Sequence, residues 1–240
     1  MKKILVLPDV HIDTELPDPY LAVRKFMRDF KPDETILLGD FMDVSALSAW
    51  DLDKREIMEG KRWKEECQVV NKELNYVQKH SKKVTFIEGN HEDRVNRYLF
   101  NNPELRGIID VPEMLNLKER KIEWVPMNKL LKRGKLYLTH GMWCNVHHAS
   151  NHLRRLGANI MYGHTHRAQS DSMTMALVKP AMAWGLGCLC DMAAPYLRGR
   201  PSNWTNQFAV VYLDEKTGNF TVYPITMANN EFVWNGKKYR

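Results

Sequence analysis

Residues 84–92 read Val84-Thr85-Phe86-Ile87-Glu88-Gly89-Asn90-His91-Glu92, a short β-branched and aromatic run that stops on a glycine and then presents an amide, an imidazole and a carboxylate. Short apolar runs bounded by turn residues read as buried strands. The same arrangement recurs along the chain. Lys2 to Pro8 ends on Asp9-Val10-His11, and Thr35 to Leu38 ends on Gly39-Asp40. Leu136 to Leu138 ends on Thr139-His140-Gly141, and Ile160 to Tyr162 ends on Gly163-His164-Thr165-His166. Helical stretches lie between the runs, at Tyr20 to Phe30 and Lys61 to Lys79. In the second, Trp63, Cys67, Val70, Leu74 and Val77 recur at spacings of 4, 3, 4 and 3, one face of a helix packed on a sheet. Alternating strands and helices predict an α/β fold. In such sheets the site lies where the strands end at their carboxyl side, and here each of those ends carries a candidate ligand.

Farther along, Phe208 to Leu213 and Phe220 to Ile225 flank a Gly-containing turn at residues 214–219 and predict a hairpin that completes a second sheet. Met42 to Arg62 is long and patternless, which predicts a loop or lid near the strand ends. No linker or repeat interrupts the chain, so residues 1–240 are expected to form one domain, with nothing substantial after the hairpin. Hydrophobic residues at 44% and charged residues at 27% exclude a disordered, collagenous or repeat protein. A chain of 240 residues buries enough surface to fold without disulfides or structural metal, so a metal here would serve chemistry. The 35 Lys and Arg against 29 Asp and Glu give +6, spread in short pairs, which permits a polyanionic partner without requiring one.

Cys67, Cys144, Cys188 and Cys190 are too sparse for a disulfide framework. The Cys188/Cys190 pair lacks the second pair that a zinc site would need, so all four read as reduced thiols in a reducing compartment. Ile4 to Leu7 is too short for a secretory signal, and no run is long enough to span a membrane. The expectation is a cytoplasmic protein with no membrane partner.

The five clusters follow one another at separations of 29 from His11 to Asp40, 50 to Asn90, 50 to His140 and 24 to His164, each the length of a helix and its loops. Together they offer carboxylate, amide and imidazole donors and no thiolate. That set suits Mn, Fe, Zn, Co or Ni better than Ca, with Mn the first choice. Singly, each cluster reads equally as a turn, a helix cap or a core histidine. The conjunction, each member at a strand end, points to a metal site.

On these five clusters the sequence resembles the calcineurin-like metallophosphoesterases, from Asp9 to His166 and on into the hairpin after Phe208. The resemblance implies the metallo-dependent phosphatase fold, an α/β/β/α four-layer sandwich of two mixed sheets, with two divalent metal ions at the sheet edge. Carried over residue by residue, it implies that Asp9, His11, Asp40 and His166 hold one ion. Asp40 would bridge to the second, completed by Asn90, His140 and His164. Two such ions clamp a phosphoryl group and lower the pKa of water, so the implied reaction is in-line attack by a metal-bridging hydroxide. His91, beside a ligand, is the candidate general acid, and Asp43 the carboxylate that orients it.

Val44-Ser45 stand where the family's protein phosphatases carry an Arg-Gly pair that grips a phosphomonoester. The Gly39-Asp40-Phe41-Met42-Asp43 and Gly163-His164-Thr165-His166 forms resemble the nuclease and phosphodiesterase branch, in its compact, stand-alone phage and bacterial type. The expected substrate is a phosphodiester, in nucleic acid or a nucleotide. A phosphomonoesterase acting on nucleotides or phosphoproteins is the alternative, and a non-catalytic nucleic-acid-binding subunit the third reading. Arg94 and Arg167 are candidate substrate contacts. His147, His148 and His152 read as phosphate contacts or solvated helix positions, and Trp50 and Trp143 as base-stacking or packing residues.

Overall fold

A computed structural model of the chain describes residues 1–49, 53–176, 178–192 and 199–240. Its strands begin with β1 (Lys2–Leu7), β2 (Glu34–Leu37), β3 (Lys83–Ile87), β4 (Glu123–Val125), β5 (Leu131–Arg133), β6 (Leu136–Thr139) and β7 (Asn159–Tyr162). They continue with β8 (Gln169–Met175), β9 (Val178–Gly185), β10 (Gln207–Leu213), β11 (Phe220–Thr226), β12 (Phe232–Trp234) and β13 (Lys237–Tyr239). The helices are α1 (Asp18–Phe30), α2 (Arg55–Met58), α3 (Trp63–His80), α4 (Arg94–Asn101), α5 (Val111–Met114) and α6 (His148–Leu156).

Two large mixed sheets result, ordered β11-β10-β1-β2-β3-β4 and β5-β6-β7-β9-β8. The alternation of side chains along each strand explains their stacking. In β1, Leu5 and Leu7 join a core with Val23 and Phe26 of α1 and Val70 and Leu74 of α3. Ile4 and Val6, on the opposite face, join Ile36, Leu38, Leu136, Leu138 and Met161, the core between the two sheets. Outside the second sheet, Ile160, Tyr162 and Ala183 pack on Ala149 and Leu153 of α6. The order helix, sheet, sheet, helix is the four-layer sandwich expected from the resemblance.

Strand β1 runs parallel to β2 and β2 to β3, and β6 runs parallel to β7. Their carboxyl ends therefore share an edge in each sheet. The β10–β11 hairpin forms as expected but does not complete the second sheet. It extends the first, with β10 antiparallel to β1. The reason lies in β10 itself: Phe208 and Val210 are buried toward α1, Ala209 and Val211 toward the other sheet, so it needs cover on both faces. The second sheet is closed by β8 and β9 instead. After the closing hairpin a further two-stranded one, β12–β13, lies against α1, with Phe232 stacked on Tyr239 and both edge-on to Phe26. The 42–62 segment contains a 3-10 turn at Ser45–Leu47 and the short α2, so it is not wholly loop. Trp50 lies outside the described residues. Among the described residues, no helix is long and apolar enough to cross a membrane.

Candidate metal centre

The loops at the strand ends hold unusual backbone conformations. Asp9, His11, Asp40, His164 and His166 have φ of 46°, 54°, 48°, 71° and 55°, the left-handed region that L-residues avoid. Such conformations persist only where surrounding bonds over-determine them. Glu92, fully buried, accepts backbone N–H groups from Gly89 (2.8 Å), Asp40 (2.9 Å), Phe41 (2.8 Å) and Met42 (3.0 Å). One carboxylate thus ties the loop after β2 to the loop after β3. Asp40 Oδ1 accepts the His91 N–H at 2.8 Å, and Asp9 accepts the His164 N–H at 2.9 and 3.0 Å. Gly89 and Gly163 permit these approaches: an added Cβ would overlap Asp40 Oδ1 at the first and Asp9 Oδ2 at the second.

The side chains converge on Asp40. Its Oδ2 lies 3.3 Å from His140 Nε2, 3.8 Å from His11 Nε2 and 3.9 Å from His91 Nε2. On one side, His11 Nε2 faces His166 Nε2 at 3.1 Å, and His166 Nε2 lies 3.3 Å from Asp9 Oδ1. On the other, His140 Nε2 is 2.9 Å from Asn90 Oδ1, and the His164 ring lies 5.0 Å from the His140 ring. All seven expected ligands, Asp9, His11, Asp40, Asn90, His140, His164 and His166, therefore meet where the carboxyl ends of the two sheets adjoin. Donor atoms of Asp40, His140 and His164 lie within 4.8 Å of one another, as do those of His11, Asp40 and His91.

The donor chemistry fits divalent cations. Nδ1 of His140 bonds the Leu38 carbonyl at 3.0 Å and so carries the ring proton, leaving the Nε2 lone pair facing two oxygens, Asp40 Oδ2 and Asn90 Oδ1. Nδ1 of His11 bonds the Asp43 carboxylate at 3.0 Å, which turns its Nε2 lone pair toward His166. Against burial, Asp40 and Asp9 push the His140 and His166 imidazoles up to about 10 and about 8, so these carboxylates call for positive charge at the positions where a divalent cation would supply it. Donors spaced by 3.1–3.3 Å suit bonds of about 2.0–2.2 Å to one ion.

Asp43 does more than orient His91. Its Oδ1 is 2.9 Å from His91 Nδ1 and 3.0 Å from His11 Nδ1, so one carboxylate oxygen braces both rings. Against burial, these two imidazoles hold the Asp43 carboxyl well below the usual range. Burial lowers the His91 pKa, but Asp40 and Asp43 outweigh it and the net shift is upward. Arg94 reaches the same corner, donating to Asp43 O at 2.8 Å and to His91 Nε2 at 3.0 Å. Arg167 donates to Val146 O at 3.4 Å.

The α6 histidines divide. His147 is exposed, whereas His148 and His152 are fully buried and are not the solvated positions expected. Helix α6 lays them on the second sheet, where His148 Nδ1 bonds Tyr162 Oη at 2.6 Å. His152 stacks on Tyr162 at 3.7 Å and accepts the Met142 N–H at 3.0 Å, bracing the loop after His140. Burial pushes both imidazoles down to about 4. Trp143 packs edge-on against His152 at 4.8 Å.

Two buried carboxylates that motif spacing does not reveal, Glu92 and Glu66, brace the site. Burial and the Asp40 charge push Glu92 up to about 7. Glu66, on α3, accepts N–H groups from Val44 and Ser45, and burial with the Asp43 charge pushes it up to about 8. The available signal was helical phase: Glu66 sits four residues before Val70, on the apolar stripe itself.

Comparison with known proteins bears on this arrangement. The chain is 27% identical to the Gene 54 protein of Mycobacterium phage L5 over 229 residues, 89% of each chain, and equally to that of phage D29. Among solved structures it resembles a Vps29 single mutant from Entamoeba histolytica at 13% identity and TM-score 0.49, covering 95% of this chain and 94% of that one. It also resembles Chaetomium thermophilum Vps29 at 14% identity and TM-score 0.44, covering 94% and 98%. The pattern that describes calcineurin-like phosphoesterases matches residues 2–168, which run from β1 to the last of the clustered histidines. With well over half of its length matched, the chain belongs to the calcineurin-like phosphoesterase family, whose members are metal-dependent phosphoester hydrolases.

Proposed function

We propose that the cluster is a two-cation centre and that the protein hydrolyses a phosphodiester in nucleic acid or a nucleotide. The observation that carries the reading is the position of Asp40, whose Oδ2 lies between the His11 and His140 lone pairs. In this reading Asp9, His11, Asp40 and His166 hold one ion, and Asp40, Asn90, His140 and His164 hold the other. Two divalent ions, Mn²⁺ as first choice, supply electrophilic polarisation of the phosphoryl group and lower the pKa of water toward neutrality.

The chain's own residues do the rest. His91 donates Nδ1–H to Asp43, and the Asp40 and Asp43 charges favour its imidazolium form, whose Nε2–H faces the site and protonates the leaving oxygen once Arg94 has turned away. Arg94 turns its guanidinium from His91 to a phosphate oxygen. Glu66 and Glu92 keep the 40–45 loop rigid by binding its N–H groups. Those bonds also bear on substrate choice. Val44 and Ser45 carry no charge and their N–H groups are taken by Glu66, so side-chain positive charge at this corner comes from Arg94, a single charge matched to a diester monoanion. That supports a diester over a monoester. The net charge of +6 is consistent with a polyanionic substrate.

The test is a comparison of a chromogenic phosphodiester with its monoester after reconstituting metal-stripped protein with Mn²⁺. Turnover of the diester that depends on added metal is expected. Turnover confined to the monoester would contradict the diester assignment.

A further inference from the structure

The Cys188/Cys190 pair has no part in the site as described so far, yet it lies directly behind it. The strand leaving β9 passes beneath Asp9 and His166. Leu189 N–H donates to Asp9 O at 3.0 Å, Cys188 N–H to Thr205 O at 2.9 Å, and Thr205 N–H to His166 O at 2.9 Å. Asn206 Nδ2 fixes the end of this segment by donating to Cys190 O at 3.0 Å. Both cysteines are free thiols, with Cys188 fully buried and Cys190 only 6% exposed. The Cys190 sulfur lies 3.8 Å from His166 Nδ1, within hydrogen-bonding range for sulfur. The other nitrogen of that ring, Nε2, is the one that faces Asp9 and His11.

We propose that Cys190 is a positioning residue for His166: its sulfur accepts the His166 Nδ1–H and so holds the ring in the tautomer and plane that aim Nε2 into the cation site. The inference rests on the reading of the cluster as a metal centre. An imidazole that binds a cation through one nitrogen needs an acceptor for the proton on the other, and that partner governs both orientation and donor strength. His11 uses the Asp43 carboxylate and His140 the Leu38 carbonyl. His166 uses a thiol, a weak acceptor, on a segment pinned by three hydrogen bonds, from Cys188 N–H, from Leu189 N–H and to Cys190 O. The edge of the His166 ring against Trp204, at 4.4 Å, closes the other side.

The experiment is titration of the metal-stripped full chain with Co²⁺, read by equilibrium dialysis and by absorption. Wild type is expected to bind two Co²⁺ per chain without a sulfur-to-cobalt charge-transfer band. Cys190→Ala is expected to keep one site and bind the second Co²⁺ roughly 10–100-fold more weakly. Cys190→Val, which preserves apolar packing but has no acceptor, should behave like the alanine variant. Cys190→Ser should recover most of the lost affinity. Cys188→Ala, which removes the thiol that hydrogen-bonds Cys190 but leaves the Cys190 sulfur beside His166, should weaken the second Co²⁺ less than Cys190→Ala does. Unchanged affinity in Cys190→Ala and Cys190→Val would overturn the proposal, as would equal weakening in Cys188→Ala, which would make the effect one of packing. A charge-transfer band lost in Cys190→Ser would also overturn it, because the thiol would then be a ligand itself. Wild type that binds no Co²⁺ overturns the metal-centre reading and this inference with it, whereas two ions bound equally by every variant overturn the inference alone.

Discussion

Asp43 and His91 give the sharpest expectations among individual residues. If His91 is the general acid, His91→Ala lowers kcat by about 10²–10⁴-fold while the protein still binds two ions. Loss of an ion in that variant would assign His91 to a metal instead. Asp43 touches two rings through one oxygen, so its replacement has a double signature. Asp43→Asn should lower kcat through His91 and also weaken Mn²⁺ binding through His11, by roughly tenfold or more; dialysis beside kinetics separates the two effects. A variant with a lower kcat and unaltered metal affinity would confine Asp43 to His91. The residues that carry donors were legible in the sequence because each follows an apolar run and a turn. The residues that hold those donors in place were not. Glu92 looks like an acidic residue in a first helical turn, and only the folded loops show that it gathers four N–H groups. Arg94 was foreseen at the site, whereas Arg167 directs its guanidinium to Val146, because its contacts depend on a loop trajectory that motif spacing does not encode.

Helix α3 links the packing of an element to pH. Its apolar stripe buries Cys67, Val70, Leu74 and Val77 on the first sheet, and Glu66 enters that interface beneath the 43–45 loop. Burial, with Asp43 and Glu92 nearby, raises its carboxyl from 4.5 to about 8, while the Val44 and Ser45 N–H groups act in the opposite direction. The folded state therefore holds this proton more tightly than the unfolded chain does. The resulting stability is fully present below about pH 4.5 and is lost as pH rises toward 8, at a slope of up to about 1.4 kcal/mol per pH unit. Denaturant melts of wild type and Glu66→Gln should show the wild-type advantage declining across that window. A difference that stays constant with pH would refute it. Strands were readable where both faces are apolar, as in β1 and β10. Strand β8, Gln169–Met175, is rich in Ser, Asp, Gln and Thr and was invisible to hydropathy; it forms at the sheet edge by pairing with β9. Because β8 and β9 already close the second sheet, the β10–β11 hairpin pairs with β1 of the first.

For the molecule as a whole, the site exists because two sheets stack with their carboxyl ends at one edge. Neither sheet holds it alone. The first contributes Asp9, His11, Asp40 and Asn90, the second His140, His164 and His166, and bonds such as His164 N–H to Asp9 join the two. Cations bound across that seam stabilise the folded state by mass action, by about 2.7 kcal/mol at 100 times the dissociation constant. Chelation should therefore lower Tm, and restored Mn²⁺ should raise it again. A Tm indifferent to chelator would place the ions, if bound at all, away from the seam. If Asp40 is shared by two cations, its removal empties at least one site, which equilibrium dialysis of wild type and Asp40→Ala against Mn²⁺ measures. Wild type is expected to hold two ions per chain and Asp40→Ala at most one; a wild type that binds none, or a variant that still binds two with wild-type affinity, would show that Asp40 is not shared.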